Sequence, residues 1–329
     1  MRAIFCKEWG KPELLTVRTA EVPRFGGDQV LIAPRAWGVN FADLVLIGGH
    51  YHLKPPFPFI PGMEVAGEVV AAGPGATTFR PGDRVAAYVE SGGYAERVVA
   101  NVAATMRLPL GMPFEVGAAF SVAYATAHVA LRHRARIQAG ETLLVLGAAG
   151  AVGLAAVEVG RQLGATVIAA AGNDEKLRVA GEHGAHKLIN YRSSDLRECV
   201  LELTHGRGVD VAFDPVGGDA FDATLRCLAF EGRLVVIGFA SGRISSAGAG
   251  RLLVKGCAVL GSSLTFTLQH RSDVLAAAYD ELTQWYAEGA LRPRVSQVFP
   301  FERVAEALRL LADRKSTGKV VLSEPRPSL

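Results

Sequence analysis

A chain of 329 residues exceeds the usual span of one hydrophobic core, so two domains are expected. Half of its residues are apolar and a fifth are charged, which fits a well-buried globular protein and argues against disorder. Lys and Arg total 35 against 32 Asp and Glu; this formal charge of +3 gives no electrostatic reason to expect nucleic acid or an anionic membrane as partner.

The N-terminus, MRAIFCKEWGKPELL, spreads charges among its apolar residues and lacks the apolar run of a signal peptide. Up to about residue 110 the chain reads as β-rich. Short apolar runs at Gln29–Ala33, Val65–Ala71, Arg84–Val89 and Ala95–Val99 alternate with Gly, Pro and Asp turn clusters. Between them Lys54–Gly62, KPPFPFIPG, is expected to be a stiff loop, because proline removes backbone donors. Near Pro113 the pattern changes, and Phe114–Arg132 is Ala-rich with apolar residues at helical spacing.

Strands and helices then alternate. Strands are expected at Thr142–Leu146, Thr166–Ala170, Lys187–Asn190, Val209–Asp214, Arg233–Ile237 and Ala258–Gly261. Helices are expected at Val152–Leu163, Lys176–His183, Leu196–Thr204 and Ala220–Leu228. Such alternation predicts a doubly wound parallel sheet, and LLVL, VIAA and LVVI are the continuous apolar runs that strands buried on both faces require. The tail offers amphipathic helices at Leu275–Glu288 and Arg303–Asp313 and a strand at Lys319–Leu322, and is expected to pack back onto the N-terminal part. The longest uncharged stretches, such as Thr142–Val157, run to 16 residues, short of the roughly 20 that cross a bilayer, so a cytoplasmic location is the default. The four cysteines, Cys6, Cys199, Cys227 and Cys257, are scattered, so neither a disulfide framework nor a thiolate zinc cluster is expected.

The strongest local signal is LLVLGAAGAVGL. A strand runs into Gly147, Gly150 and Gly153 and then a helix, with Ala151 and Val152 in its first turn. Glycine permits the tight turn and close backbone approach that a pyrophosphate needs, and the helix end offers unpaired N–H groups. In an NAD site the next strand ends in Asp or Glu, about 20 residues on. Here it ends in Ala171 and Gly172, followed by Asp174, Glu175 and Lys176. Without a carboxylate at the strand end a 2′-phosphate meets no repulsion, so NADPH is favoured, with Lys176, Arg178 and Tyr191 as candidate partners. The alternative for Lys176 is an ordinary solvated helix residue.

Over nearly its whole length, through GVNFADLVLIGGHY, PGMEVAGEV, PGDRV, LGAAGAVG, INYR, FDPVGG, LVVIGFASG and TGKVVL, the chain resembles the medium-chain dehydrogenase/reductase superfamily, in its zinc-independent quinone oxidoreductase branch. The resemblance implies an α/β protein in which a Rossmann domain, residues 123–261, is inserted in a discontinuous, β-rich, GroES-like catalytic domain made of residues 1–122 and 262–329. It also implies a homodimer formed by edge strands of the cofactor domain, around Ala258–Ser262. At the places where zinc-containing relatives carry Cys, His and Cys, this chain has Asn40, Met63 and Val122, and amide, thioether and alkyl groups do not replace thiolate and imidazole. No metal is therefore expected. Without a Lewis acid the favoured acceptors are quinones and α,β-unsaturated carbonyls, whose reduction spreads charge over a conjugated system and needs only hydrogen-bond donors.

In the resembled branch an Asn at position 40 lines the site near the nicotinamide, and its NH2 would donate to an acceptor or ribose oxygen; the alternative is an Asn that supports its turn. Tyr51 follows Gly48, Gly49 and His50 and either hydrogen-bonds the carbonyl, with a proton to give, or packs. Thr126, Gly238 and Phe239 match positions beside the nicotinamide. Structural roles are expected for Asp43 and Glu64, and no catalytic role for His50 or His52. The basic run Arg132–Arg136 is read as a solvated helix end rather than a nucleic-acid contact. The rival to a reductase of small-molecule acceptors is a nucleotide-binding sensor or crystallin-like structural protein, which would keep the glycine turn and need neither Asn40 nor Tyr51.

Overall fold

In the computed structural model, which describes residues 1–324, one sheet is wholly parallel and another is antiparallel except for a parallel pair at its edge, Val295–Pro300 with Lys319–Ser323. One unit comprises Met1–Val122, Arg271–Thr283 and the chain from Pro293; the other comprises Ala123–His270 and Gln284–Arg292.

The first unit begins with β1 (Arg2–Phe5), β2 (Thr16–Thr19), β3 (Gln29–Val39), α1 (Phe41–Ile47), β4 (Glu64–Ala72), β5 (Arg84–Tyr88), β6 (Val98–Asn101), β7 (Thr105–Arg107) and α2 (Phe114–Gly117). The second holds α3 (Ala123–His128), β8 (Thr142–Leu146), α4 (Ala151–Gln162), β9 (Thr166–Ala171), α5 (Asp174–Glu182), β10 (Lys187–Asn190) and α6 (Leu196–Leu203). It continues with β11 (Val209–Asp214), α7 (Gly218–Arg226), β12 (Leu228–Val236), α8 (Ala249–Lys255), β13 (Ala258–Gly261) and α9 (Leu264–His270). The tail supplies α10 (Ser272–Ala287), β14 (Val295–Pro300), α11 (Val304–Ala312) and β15 (Lys319–Ser323).

In the second unit six parallel strands run in the order β10-β9-β8-β11-β12-β13. This is the doubly wound order, with its reversal between β8 and β11. Every residue of β8 is buried, as are Val167–Ala171 of β9, because helices cover both faces. In the first unit the main sheet runs β14-β15-β3-β4-β5-β7. The 11-residue β3 serves two partners along one edge, β6 opposite Gln29–Ile32 and β15 opposite Ala36–Val39. α11 buries Val304, Ala307 and Leu308, three positions at helical spacing.

Two expectations need correction. The Ala-rich stretch Phe114–Arg132 is not one helix: α2 stops at Gly117, α3 starts at Ala123, and a π-helical turn follows at Val129–Arg134. The reason is Glu64, whose Oε1 accepts from the Ser121 hydroxyl at 2.9 Å and the Val122 N–H at 2.7 Å. That pull diverts the Val122 N–H from helical pairing. The tail also divides differently from a single return at residue 262, since 262–270 and 284–292 belong with the second unit. There the Trp285 ring lies 5.7 Å from His128, and the Arg292 N–H donates to Glu158 at 2.9 Å. The last five residues of the expected 262–329 segment lie outside the described residues. No helix among the described residues is long and apolar enough to cross a membrane.

Candidate active site

The second unit gathers its candidates at the carboxyl edge of the parallel sheet. β8 ends at Leu146 and turns at Gly147, whose φ of +57° lies in the left-handed region. Gly150 is the N-cap of α4, and no side chain caps it, so the first-turn N–H groups of Ala151, Val152 and Gly153 face outward with no side-chain acceptor. Gly153 is required for packing: a Cβ there would lie 2.3 Å from the Gly147 carbonyl oxygen and 2.8 Å from Ala148 Cα. Such an uncapped, glycine-lined helix start fits an anion of pyrophosphate type.

Gly172 follows β9 and Tyr191 follows β10, so both meet at the same edge. A Cβ on Gly172 would lie 3.3 Å from Arg192 Nε and 3.7 Å from Tyr191 Cε2. Asp174, the nearest acid after β9, accepts from the Asn190 amide at 2.8 Å. The Lys176 N–H is held by the Asn173 side chain at 2.8 Å as the cap of α5, and Lys176 itself is half-buried, whereas Arg178 pairs with Glu182. Gly238 and Phe239 follow β12 beside the loop after β11, where a Cβ on Gly217 would touch the Phe239 ring at 3.1 Å. Thr126 is half-buried on α3, and α3 is tied to α4 by the Tyr124 hydroxyl donating to Glu158 at 2.7 Å. Glu158 also meets His183 Nδ1 at 2.6 Å. Arg134, of the basic run, donates to the Gly261 carbonyl at 2.9 Å.

Three residues with no role in the sequence reading belong to these groups. Arg192 is the last residue of the INYR motif, and its guanidinium reaches the space beside Gly172. Asp214 ends β11 fully buried, and its Oδ1 accepts from the N–H groups of Val216 and Gly217 at 2.7 and 2.8 Å, shaping the loop beneath Phe239. Burial pushes its carboxyl upward against those two bonds.

The third is Lys319, in the first unit. Asn40 is the N-cap of α1, where its own N–H donates to Asp43 Oδ2 at 2.8 Å. Its Oδ1 accepts from Lys319 Nζ at 2.6 Å, and its Nδ2 lies 3.3 Å from Glu64 Oε2 and 3.4 Å from the Gly38 carbonyl. Lys319 and Glu64 form a buried ion pair. Asp43, fully buried, accepts from the Tyr94 hydroxyl at 2.7 Å. Burial pushes the Asp43 carboxyl up to about 6, against the Tyr94 and Asn40 hydrogen bonds and the Lys319 charge that pull it down. Asn40 thus supports its turn and also joins a charged group. Tyr51 is half-buried in the segment after α1, its ring 4.2 Å from that of His52, while His50 and His52 are exposed. Met63 is buried. Among the described residues no three His, Cys, Asp or Glu side chains lie where they could share a metal ion.

The chain is similar to known proteins over nearly its whole length. Residues 26–132 match the family described as alcohol dehydrogenase GroES-like domain, and residues 183–322 the family described as zinc-binding dehydrogenase. Quinone oxidoreductase-like protein 2 of Rattus norvegicus is 40% identical over 98% of this chain and 92% of its own length. The chain belongs to the quinone oxidoreductase-like family of medium-chain dehydrogenases/reductases. Quinone oxidoreductase of Homo sapiens is 34% identical, covering 98% of this chain and 97% of the relative. The solved structure of Escherichia coli quinone oxidoreductase complexed with NADPH superposes with a TM-score of 0.91 at 30% identity, covering 98% and 100% of the two chains. As a member of this family the chain is an oxidoreductase, and its inserted doubly wound sheet and GroES-like unit are those of the family.

Proposed function

We propose that this oxidoreductase binds NADPH and reduces quinones or α,β-unsaturated carbonyl compounds without a metal, acting in the cytoplasm as a homodimer. The observation that carries the proposal is the carboxyl edge of the six-stranded sheet, where an uncapped glycine turn lies beside a strand end free of acid. NADPH, when bound, supplies hydride from C4 of its nicotinamide. The N–H groups of Ala151, Val152 and Gly153 hold the pyrophosphate at the positive end of α4. Gly172 leaves room for the adenosine ribose, and the Asn190 amide fixes the Asp174 side chain at 2.8 Å. Lys176, Tyr191 and Arg192 surround that phosphate, Arg192 through a guanidinium fork suited to it. Thr126, Gly238 and Phe239 position the nicotinamide.

On the acceptor side, Asn40 donates to the oxygen that gains charge, and Tyr51 hydrogen-bonds the same carbonyl and gives a proton. The complex with NADPH described for the Escherichia coli relative supports the cofactor. The names of the relatives support quinones as one acceptor class. The homodimer is supported by β13, which leaves one edge of the parallel sheet unpaired, and by the nearby exposed side chains of Phe230, Leu253 and Val254, 78, 83 and 86% accessible.

The test is stopped-flow mixing of protein and NADPH with a panel of quinones, enones, acrylate and acyl-CoA enoates. Reduced-nicotinamide absorbance should fall with at least one acceptor. Asn40→Ala and Tyr51→Ala should slow that step by about tenfold or more, with NADPH affinity unchanged. Tight NADPH binding without turnover of any acceptor would favour the sensor or structural protein instead.

A further inference from the structure

Lys319 is 2% exposed and Glu64 fully buried, and the two form an ion pair at the junction of β15, β3 and β4. An ammonium taken out of water costs several kcal/mol unless its charge and its N–H groups are matched. Glu64 supplies the charge, with its other oxygen already engaged by Ser121 and Val122. A further acceptor is Asn40 Oδ1, at 2.6 Å.

An ammonium can only donate. An amide facing it must therefore turn its oxygen inward, so here the partner's chemistry fixes an orientation that amide geometry alone leaves open. Both hydrogens of Asn40 then sit on Nδ2, whose two contacts of 3.3 and 3.4 Å are long beside the usual value of about 2.9 Å. The hydrogens are weakly engaged, and Asn40 is half-buried rather than sealed in the core.

We propose that Lys319 is a positioning residue that sets the polarity of Asn40, so that this amide offers hydrogens, never its oxygen, to an acceptor oxygen that is gaining negative charge. The proposal rests on the reductase reading above. It also places a fixed cation behind a site whose metal-ligand positions hold Asn40, Met63 and Val122. Without a donor at position 319 nothing holds Oδ1 inward, so the amide is free to turn over, bring Nδ2 to the place of Oδ1 and present a lone pair outward. A developing oxyanion would then meet repulsion where it needs a donor.

The experiment uses the full chain with Lys319→Met, Lys319→Arg and Asn40→Asp. Arginine keeps a donor-only cation; aspartate keeps a partner for Lys319 but removes the outward hydrogens. Expected are a kcat at least about tenfold lower in Lys319→Met and Asn40→Asp, an unchanged NADPH dissociation constant in both, and recovery of most turnover in Lys319→Arg. Parent-like kcat in Lys319→Met or Asn40→Asp, or a loss in Lys319→Arg as deep as in Lys319→Met, overturns the proposal. Should Lys319→Met not fold, the contrast between Lys319→Arg and Asn40→Asp carries the same decision. If the parent protein reduces no acceptor, the reductase reading itself fails, and the side-chain amide resonances of Asn40 still judge Lys319. A shift in Lys319→Met that is absent in Lys319→Arg supports the polarity role, and no shift overturns it.

Discussion

Asp43 is a carboxyl group shut away from water, and its proton affinity links the site to the stability of the chain. Its folded value of about 6 lies above the ordinary 3.8. Between these values the folded protein keeps a proton that the unfolded chain has released, so stability falls as pH rises from about 4 to 6 and the penalty stays constant above. A rise of this size in proton affinity is worth roughly 3 kcal/mol. Asp43→Asn removes this titration while keeping an oxygen for Tyr94. Thermal melts at pH 4, 5, 6 and 7 should show the variant gaining on the parent across the window and then running parallel to it. A difference that is flat throughout would mean that Asp43 is ionised at every pH tested. Asp43 and Glu64 were readable as structural residues, and Gly147, Gly150 and Gly153 as a tight turn between β8 and α4, because such a turn is a local demand on the backbone. Lys319 was not readable as a partner of Asn40, since 279 residues separate them and nothing local marks a lysine in a strand as buried.

At the scale of elements, the start of α4 against β8 is a tightly constrained joint. Gly153 packs under the turn so closely that one methyl group must displace the Gly147 carbonyl. Gly153→Ala should cost about 1–3 kcal/mol by overpacking. It should also lower NADPH affinity by about tenfold through the displaced turn, in line with about 1.4 kcal/mol per factor of ten. Titration calorimetry and a melting curve check both, and a variant that binds like the parent would show that the joint yields. Strands β8, β10, β11 and β13 coincide with the expected ranges. Their apolar runs are bounded by turn residues, and the buried core of the second unit admits little else. β1, β2, β14, α8 and α9 carry mixed or exposed faces, so periodicity did not announce them. The broken helix at 114–132 was not legible because its cause, Glu64, lies in another strand.

For the whole molecule, the unpaired edge of β13 leads to a prediction about assembly. Sedimentation should give twice the chain mass for the parent, and Leu253→Glu with Val254→Glu should shift it toward the single chain. A monomeric parent would sink the dimer. The family and its two-part layout were legible from motifs spread along the chain, whereas the acceptor was not, because the shape of a pocket follows from side-chain packing between segments far apart in sequence. The place of β15 carries one more consequence. Part of β3, among the first strands to leave the ribosome, waits for hydrogen-bond partners that are translated more than 280 residues later. The doubly wound sheet has all six of its strands long before then. A nascent chain can therefore pair all the strands of that sheet early, while the half bearing Asn40 stays open until Lys319 arrives, so translation itself delays the last charge of the site.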